Sequence, residues 1–285
     1  MQAKRSILVG LIGAGIQSSL SPAMHMHEGE AQGLRYTYRL IDLDVLGRTA
    51  AALPELIASA EREGFAGLNI TFPCKQAVIE WLDELSPDAR AIGAVNTVLF
   101  TGGRRIGHNT DWSGFAESFR RRMGDVGRGR VVLFGAGGAG AAVAHALLTL
   151  ETATLVLVDT DRFRAASLAD TLCRRFGAGR AIALDDAAAA LQGADGMVNA
   201  TPVGMAKFPG LPLPANLLLP ELWVADVVYF PLETTLLAEA TARGCRTMSG
   251  EGMAVFQAVG AFRLFSGVEP DADRMLAHFA ELTRR

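Results

Sequence analysis

The chain has 285 residues, of which 50% are hydrophobic and 20% are charged, as is typical of a soluble globular protein with room for two domains. Its net charge of −3 at pH 7 excludes the strongly basic surface that binds nucleic acids or acidic membranes, so we expect neither as a partner. Cys74, Cys173 and Cys245 are far apart and lack metal-ligand spacing, which favours a reducing, cytoplasmic location.

The first apolar run, residues 7–12, follows Lys4 and Arg5 and in this respect resembles a short signal peptide. A signal peptide has a small-residue cleavage site after its apolar run, whereas this run leads directly into sequence that contains Ser and His. We therefore predict that residues 7–12 form a first β-strand. No stretch of the chain approaches the roughly 18 apolar residues of a membrane span, so we expect no membrane association.

The next apolar runs predict further strands. Residues 36–41 and 67–70 read as strands, with helical patterns between them. Residues 94–100 and 105–108 form a second pair of runs, and the Thr-Gly-Gly sequence at residues 101–103 is the turn signal of a hairpin.

A helix is predicted directly after this hairpin, over residues 112–123. Phe115 and Phe119 have the i, i+4 spacing that places both rings on one helix face. Residues 124–130, rich in Gly and Arg, then form a link to the next strand.

A complete G-x-G-x-x-G pattern follows this link. The apolar run 131–134 precedes it and a helix-forming stretch, residues 141–148, comes after it. In such a strand–loop–helix unit the glycines allow a tight turn and close backbone approach, and the helix N-terminus offers free N–H groups to a pyrophosphate. We therefore predict a dinucleotide-binding loop formed by Gly135, Ala136, Gly137, Gly138, Ala139 and Gly140.

Asp159 indicates which dinucleotide binds. It ends the apolar run 155–158 and lies 19 residues beyond Gly140, where a carboxylate accepts hydrogen bonds from the adenosine ribose hydroxyls. The 2′-phosphate of NADP would be repelled by that carboxylate. Thr160 and Asp161 stand where an NADP site favours Arg or Lys. We predict NAD as the cofactor, with NADP less favoured.

Two basic residues keep NADP open as an alternative. Arg162 and Arg164 lie slightly further along the chain, within reach of a phosphate beside Asp159. We include Arg162 among the predicted cofactor-binding residues.

Strands and helices alternate from residue 131 to about residue 249, which predicts a doubly wound parallel sheet of the Rossmann type. Strands predicted at residues 196–199, 223–228 and 246–248 continue the alternation, and an alanine-rich helix is predicted at residues 185–190.

Two more helices, predicted at residues 254–265 and 271–283, come after the last strand. We predict a two-domain α/β protein in which residues 1–112 form an N-terminal α/β substrate-binding domain. Residues 113–249 form the dinucleotide-binding domain, and helices within residues 250–285 complete the first domain.

Polar residues in the first domain lie in short insertions between apolar elements. Thr71 and Lys75 follow the strand at residues 67–70, Asn96 opens the hairpin, and Asp111 closes it at the start of the next helix. A dehydrogenase needs a proton-transfer group at the substrate carbon and polar anchors for the substrate, and these segments supply both.

In these and further segments the chain resembles the shikimate/quinate dehydrogenase family, and the resemblance extends over nearly the whole sequence. Any one of its motifs could arise by chance, but the full series in this order is highly specific. The motifs are Ser19-Leu20-Ser21-Pro22 with His25, residues 69–75, 93–97, 109–111 and 135–140, residues 199–205 and 226–231, and Gly252-Met253 with Gln257.

The resemblance implies a role for each matching residue. Lys75 is the implied general acid–base at the reacting hydroxyl, and Asp111 is hydrogen-bonded to the same hydroxyl. Ser19 and Ser21 are placed to donate their hydroxyls to a substrate carboxylate. The other implied substrate-binding residues are Asn69, Thr71, Asn96, Tyr229 and Gln257. The implied cofactor contacts outside the glycine loop are Asp159, Arg162, Thr201, Val228, Gly250 and Met253.

The function implied by the resemblance is NAD-dependent, reversible hydride transfer between shikimate and 3-dehydroshikimate, a step of chorismate and aromatic amino acid biosynthesis. Whether quinate is also a substrate stays open. Two alternatives remain: a ligand-sensing module that keeps the pocket without turnover, and a dehydrogenase of an amino-substituted shikimate analogue. Intact Lys75 and Asp111 favour an enzyme over a sensor.

The expected partner is a small cyclic hydroxy acid, and the sequence does not decide between a monomer and a homodimer. His25 and His27 are spaced like a pair of metal ligands, but no carboxylate or Cys lies nearby in the sequence. We therefore predict no metal site.

Overall fold

The computed structural model describes residues 5–284, which form two compact units. The first unit contains the described residues up to Thr110 and those from Val255 onward, and the second is Asp111–Ala254. The sequence analysis placed the boundaries at residues 112 and 249. The observed ones differ by a few residues: Asp111 already opens a helix of the second unit, and the second boundary falls within a helix that begins at Glu251 and passes into the first unit.

The chain up to Thr110 alternates strands with helices. Short 3-10 helices at Ala50–Ala52 and Ala77–Trp81 interrupt the connections. The other elements, in order, are β1 (Ser6–Gly13), α1 (Ser21–Ala31), β2 (Arg35–Asp42), α2 (Leu43–Leu46), α3 (Leu53–Arg62), β3 (Gly67–Ile70), β4 (Glu84–Leu85), α4 (Pro87–Ile92), β5 (Thr97–Thr101) and β6 (Arg104–His108).

The second unit alternates strands and helices more regularly. Its elements, in order, are α5 (Asp111–Met123), β7 (Arg130–Phe134), α6 (Gly138–Thr149), β8 (Thr154–Val158), α7 (Arg162–Phe176), β9 (Ala181–Ala183), α8 (Ala187–Leu191), β10 (Gly196–Asn199), a 3-10 helix (Ala215–Leu217), β11 (Trp223–Asp226), α9 (Thr235–Ala242) and β12 (Arg246–Met248). The helix α10 (Glu251–Ser266) begins in this unit and continues into the first, to which α11 (Ala272–Thr283) also belongs.

The first unit is built on a mixed sheet with the strand order β2-β1-β3-β5-β6-β4. The strands β2, β1 and β3 are parallel, whereas β5 is antiparallel to both β3 and β6. Alternate residues of β1 face opposite sides, as the two-residue period of a strand requires. Val9 and Leu11 pack with Phe262 and Phe265 of α10, and Ile12 packs with α3 on the other face.

The second unit is a parallel sheet with the strand order β12-β11-β10-β7-β8-β9 and helices on both faces. Leu133 of β7 packs on the face covered by α5 and α6, and Val132 packs on the face covered by α8 and α9. The residues on both faces are apolar because parallel strands in a doubly wound sheet are covered on both sides. The predicted α/β class with a Rossmann-type domain is confirmed.

Several predicted element boundaries are wrong, each for a local reason. The strand β5 begins at Thr97 rather than at residue 94, because Val95 N–H donates to the Lys75 carbonyl instead of entering the ladder. The strand β11 ends at Asp226 because Val228 N–H bonds to the Asp226 side chain. The short strands β4 and β9 were not predicted at all. Among residues 5–284, no helix combines the length and apolar character needed to cross a membrane.

Candidate functional site

Three strand ends meet at one edge of the first sheet and bring together polar residues from distant segments. Asn69 of β3 lies opposite Thr97 of β5, and Thr97 lies opposite His108 of β6. Because β5 is antiparallel to both neighbours, its first residue lies beside the last residues of β3 and β6. Asn96 directly precedes Thr97, and Thr110 follows His108 by two residues, so both lie near these strand ends.

The side chains at this edge form a buried hydrogen-bond network. Asn69 Nδ2 donates to the Asn96 carbonyl at 3.2 Å and to Thr97 Oγ1 at 3.1 Å. Asn96 Oδ1 accepts from the Thr97 hydroxyl at 3.0 Å and from Thr110 N–H at 2.7 Å. Asn96 Nδ2 donates to Thr110 Oγ1 at 2.8 Å. These residues are all buried, so the network fixes the orientation of both amides.

Lys75 is held beside this network by its backbone. Its carbonyl accepts from Val95 N–H at 2.8 Å, and Cys74 N–H donates to the Thr71 carbonyl at 2.8 Å, which closes the turn before Lys75. Lys75 is partly exposed, whereas Cys74 is buried. Burial raises the pKa of the Cys74 thiol to about 11, so this thiol stays protonated and unreactive at neutral pH. In this turn the side chain suited to proton exchange is therefore Lys75.

Ser19 and Ser21 lie at the start of α1. Ser21 N–H donates to Ser19 Oγ at 3.3 Å, and no side chain caps the helix at Leu20. Both serines are partly exposed. A helix N-terminus without a side-chain cap, flanked by two hydroxyls, suits a carboxylate.

Asp42, the last residue of β2, fixes the loop that leads to these serines, and the sequence analysis did not identify it. Its carboxylate accepts from Gly15 N–H, Ile16 N–H and Gln17 Nε2, each at 2.9 Å. Burial alone would raise the pKa of the Asp42 carboxyl, but the donated hydrogen bonds outweigh burial and hold it below its usual value. The available signal was an acidic residue at the end of an alternating strand.

The other predicted catalytic residue, Asp111, and two of the predicted substrate-binding residues are divided between the units. Gln257 lies on the part of α10 that belongs to the first unit and is partly exposed. Asp111 is the first residue of α5 and is 4% exposed. Tyr229 is partly exposed in the loop after β11, so it belongs, like Asp111, to the second unit.

The glycine loop of the second unit has the geometry of an anion cradle. Gly135 has a φ of +99°, and a Cβ on Gly140 would lie 1.9 Å from the Gly135 carbonyl oxygen, so both positions require glycine. A Cβ on Gly137 would meet nothing within 4 Å. Gly137 is the N-cap of α6 and provides no side-chain cap. The open space in front of the helix N-terminus therefore fits a pyrophosphate group.

Asp159 binds this loop directly. Its Oδ2 accepts from Ala136 N–H at 2.7 Å and its Oδ1 accepts from Asp161 N–H at 2.8 Å. The side chain is only 8% exposed. Oδ1 also accepts from the Thr160 hydroxyl at 3.4 Å, whereas Oδ2 has a second lone pair, so Asp159 shapes the loop and offers acceptor capacity to a ligand chiefly through Oδ2.

The two arginines after β8 have different surroundings. Arg164 NH1 lies 3.8 Å from Asp159, and its NH2 lies 3.5 Å from Asp161. The Arg162 guanidinium lies over the exposed Phe163 ring, 5.1 Å from its centroid. The carboxylate pair thus holds Arg164, whereas Arg162, the predicted cofactor contact, lies over the Phe163 ring.

The loops after β10 and β11 are tied together around Asn199. Thr201 Oγ1 donates to Asn199 Oδ1 at 2.7 Å, and Asn199 Nδ2 donates to Asp226 Oδ1 at 3.0 Å. Asp226 also accepts from Val228 N–H and from the Thr234 hydroxyl. Burial raises the pKa of Asp226 to about 6, although these hydrogen bonds oppose the shift. Thr201 and Val228 are thereby held by one buried cluster.

Gly250 and Met253 have distinct environments. A Cβ on Gly250 would lie 2.4 Å from the Val227 carbonyl oxygen, so glycine allows this segment to approach the loop after β11. Met253 is 8% exposed and packs in the core on the α5 and α6 face of the sheet. Gly250 is therefore adjacent to Val228, and Met253 is a core residue.

His25 and His27 do not point to a shared ligand. His25 is buried, with its Nδ1 3.1 Å from the Tyr36 hydroxyl, and His27 stacks on His278 with ring centroids 4.0 Å apart. Within the part of the chain that the structure describes, no group of three His, Cys, Asp or Glu residues could hold a metal ion.

One unit thus combines a glycine loop at a helix N-terminus with a carboxylate at the next strand end, and the other combines a buried amide network with a lysine. These features define a two-domain oxidoreductase that uses a nicotinamide dinucleotide. Residues 11–98 match the family model described as the shikimate dehydrogenase substrate binding domain.

Relatives extend this match to the whole chain. The chain is 61% identical over 279 residues to a shikimate dehydrogenase (NADP(+)) of Streptomyces avermitilis, covering 97% of this chain and 96% of the relative. It is 48% identical over 280 residues to a quinate/shikimate dehydrogenase (NAD(+)) of Corynebacterium efficiens, covering 97% and 99%. A solved quinate dehydrogenase from Corynebacterium glutamicum in complex with NAD has a TM-score of 0.88 at 46% identity, covering 98% of this chain and 100% of that chain.

The chain belongs to the shikimate/quinate dehydrogenase family, which confirms the resemblance drawn from the motifs. It is an oxidoreductase that acts on a CH–OH group with a nicotinamide cofactor.

Proposed function

We propose that this chain is an NAD-preferring shikimate dehydrogenase that converts shikimate reversibly to 3-dehydroshikimate and also accepts quinate. The observation that carries the cofactor preference is the Asp159 carboxylate at the end of β8. Relatives differ on this point: the Streptomyces avermitilis protein is named for NADP(+) and the Corynebacterium efficiens protein for NAD(+). Overall identity therefore does not decide the cofactor, and the local charges carry the argument.

The charges after β8 favour a ribose without a phosphate. Asp159 is largely buried, and the Ala136 and Asp161 N–H groups fix its position. A phosphate placed beside it would meet a like charge in a site poorly screened by water, which costs several kcal/mol. Arg164 already interacts with both Asp159 and Asp161, so its charge is largely balanced before any ligand arrives.

The glycine loop, residues 135–140, is the proposed cradle for the pyrophosphate, and Asp159 is the proposed acceptor for the ribose hydroxyls. Thr201, Val228 and Gly250 are the proposed contacts nearer the nicotinamide, and Met253 supports them from the core. When bound, the nicotinamide supplies the group that accepts or returns a hydride.

Lys75 is the proposed general acid–base. Its amine receives the proton of the reacting hydroxyl during oxidation and returns a proton to that oxygen during reduction. Asp111 is the proposed hydrogen-bond acceptor for the same hydroxyl, which orients it for this exchange. Ser19 and Ser21 are the proposed anchors of the substrate carboxylate.

We assign the hydroxyls of the substrate ring to Thr71, Asn96, Tyr229 and Gln257. Asn69 supports these contacts rather than making one itself. Both N–H groups of Asn69 donate within the network, so Asn69 acts on the substrate chiefly by holding Asn96. The enzymatic role is favoured over a sensing module because the named relatives are dehydrogenases.

The cofactor preference is tested by replacing Asp159 with Asn, which removes the negative charge and keeps an acceptor for Ala136 N–H. We expect the ratio of kcat/KM with NADP to that with NAD to rise at least tenfold, because the repulsion of the 2′-phosphate is removed. The matched control is Asp161→Asn, which removes a charge from the same segment, since Asn caps α7 as well as Asp does. If the ratio of kcat/KM with NADP to that with NAD rises no more in Asp159→Asn than in Asp161→Asn, the proposed ribose contact is refuted.

A further inference from the structure

Two buried tyrosines lie on the same face of β2. Tyr36 and Tyr38 are two residues apart on the strand and are 8% and 7% exposed. Their hydroxyls have different partners. The Tyr36 hydroxyl meets His25 Nδ1 at 3.1 Å, whereas the Tyr38 hydroxyl donates to Asn69 Oδ1 at 2.8 Å. Tyr38 thus reaches past β1 to β3, since β1 lies between β2 and β3 in the sheet.

The hydrogen bond from Tyr38 determines which groups of the polar network donate and which accept. An amide has one acceptor oxygen and one NH2 group. Because the Asn69 oxygen receives the Tyr38 proton, the Asn69 NH2 group points to the Asn96 carbonyl and to Thr97 Oγ1. Thr97 Oγ1 accepts there, so its own proton is directed to Asn96 Oδ1 at 3.0 Å.

The donor and acceptor roles set by the Tyr38 hydroxyl therefore extend, through Asn69 and Thr97, to the Asn96 side chain. With its oxygen on Thr97 and on Thr110 N–H, the Asn96 amide presents its NH2 group to the Thr110 hydroxyl. Reversing the Asn96 amide would place its NH2 group against the Thr97 proton and the Thr110 N–H. The donor face of Asn96 is thus fixed by two sets of hydrogen bonds: the one from Thr110 N–H, and the series that begins at Tyr38 and arrives through Thr97.

We infer that Tyr38 is a positioning residue for the substrate: through Asn69 and Thr97 it holds the Asn96 amide in the orientation that donates to a substrate ring hydroxyl. This inference rests on the proposed function, which assigns Asn96 to the ring. Tyr38 itself touches neither substrate nor cofactor in this account.

Tyr36 provides a matched control because its hydrogen bond to His25 does not lead on to the polar network of Asn69 and Asn96. His25 is buried, and its Nε2 has no hydrogen-bond partner. Replacing either tyrosine with Phe removes one buried hydroxyl from the same strand face. The two variants should therefore lose similar stability, and only Tyr38→Phe should disturb Asn96.

The kinetic test compares Tyr38→Phe with Tyr36→Phe in shikimate oxidation. We expect Tyr38→Phe to raise the KM for shikimate about tenfold, with kcat and the KM for the nicotinamide cofactor changing less than about threefold, since one substrate contact is misoriented. Tyr36→Phe should leave all three constants within about twofold. Equal changes in the KM for shikimate in the two variants would overturn the inference.

A double variant tests whether the bonds act in series. Thr97→Val has nearly the same shape and removes the hydroxyl between Asn69 and Asn96. If the hydrogen bonds act in series, Thr97→Val already breaks the connection between Asn69 and Asn96. Adding Tyr38→Phe should then raise the KM for shikimate no further than Thr97→Val does alone. Multiplication of the two single effects would show that Tyr38 and Thr97 act independently, which contradicts the inference.

The Asn96 side-chain amide gives a readout that does not depend on turnover. In NMR spectra of the ¹⁵N-labelled protein, its NH2 resonances are assigned by their disappearance in Asn96→Asp. We expect Tyr38→Phe to shift these resonances and Tyr36→Phe to leave them in place. If the unmodified enzyme oxidises neither shikimate nor quinate, the proposed function fails, and this comparison still decides the inference: unmoved resonances in Tyr38→Phe refute it.

Discussion

The glycine loop of the second unit and the polar network of the first unit are built in different ways. The loop presents backbone N–H groups, and its shape depends on Gly135 and Gly140, which lie within one short segment. The network presents side chains of Asn69, Asn96 and Thr110, which come together only because β3, β5 and β6 end at one edge. A site made from local backbone geometry is visible in sequence spacing, whereas a site made from long-range side-chain bonds is not.

The two regions also differ in the chemistry that they supply. The loop offers backbone dipoles to the proposed pyrophosphate and lacks a titratable side chain of its own. The network adjoins Lys75, whose proposed role is proton exchange. Changes in the first unit should therefore alter turnover and substrate binding, whereas changes in the loop should alter stability and cofactor binding.

The largest expected effect is on turnover, in Lys75→Arg. Arginine keeps the positive charge but does not exchange its proton near neutral pH, so we expect kcat to fall about 10³-fold, within the usual contribution of a general acid–base. Cofactor affinity, measured by the fluorescence of bound NADH, should stay within about twofold of the original value.

Lys75→Arg also separates the proposed role of the first unit from that of the second. Retained turnover would show that charge alone suffices and would remove proton exchange from Lys75. A large loss of NADH affinity would contradict the assignment of the cofactor to the second unit.

The next largest effect is expected in the glycine loop. In Gly140→Ala the new Cβ would lie 1.9 Å from the Gly135 carbonyl oxygen, so the loop must shift, at a cost of about 3 kcal/mol of unfolding free energy. In Gly137→Ala the new Cβ meets nothing within 4 Å, so the loss of stability should stay below about 1 kcal/mol. The methyl group of Gly137→Ala would instead occupy the space proposed for the pyrophosphate, and the KM for NAD should rise about tenfold.

Urea unfolding of the two variants, together with their KM values for NAD, checks this pair. A Gly137→Ala enzyme with unchanged cofactor kinetics would show that the nucleotide does not approach the loop at this position.

A smaller effect is expected in the pH dependence of stability, with opposite signs in the two units. Burial lowers the pKa of His25 from 6.5 to about 3, so the folded state binds fewer protons than the unfolded state. The stability that His25 contributes is present above pH 6.5 and is lost as the pH falls toward 3. Burial raises the pKa of Asp226 from 3.8 to about 6, so its contribution is present below pH 3.8 and is lost as the pH rises through 6.

Native-state hydrogen exchange separates these two contributions. Between pH 6.5 and pH 4.5, His25→Gln should remove about 2 kcal/mol of the acid-induced loss of stability in the first unit. Asp226→Asn should remove a gain in stability of similar size that the second unit shows as the pH falls from 6 to 4. A slope of the same sign for both groups would contradict the assigned protonation states.

The sequence predicted the parts of the site that depend on local pattern. The spacing of Gly135 to Gly140 and of Asp159 identified the loop, and the structure adds that Asp159 bonds to the loop itself through Ala136 N–H. The motifs named Asn69 and Asn96 without indicating that these two residues contact each other.

Three features could not be predicted because they depend on tertiary contacts. Asp42 bonds to a loop about 26 residues earlier in the chain, at Gly15 and Ile16. Tyr38 reaches Asn69 across an intervening strand. The start of β5 at Thr97 depends on the backbone of Lys75, which no local propensity encodes.

The most direct test of the account is the initial rate of oxidation of shikimate and of quinate, each with NAD and with NADP, followed by nicotinamide absorbance. We predict turnover of both shikimate and quinate, and a higher kcat/KM with NAD than with NADP. A higher kcat/KM with NADP would contradict the role assigned to Asp159, and no turnover of either acid would contradict the proposed function.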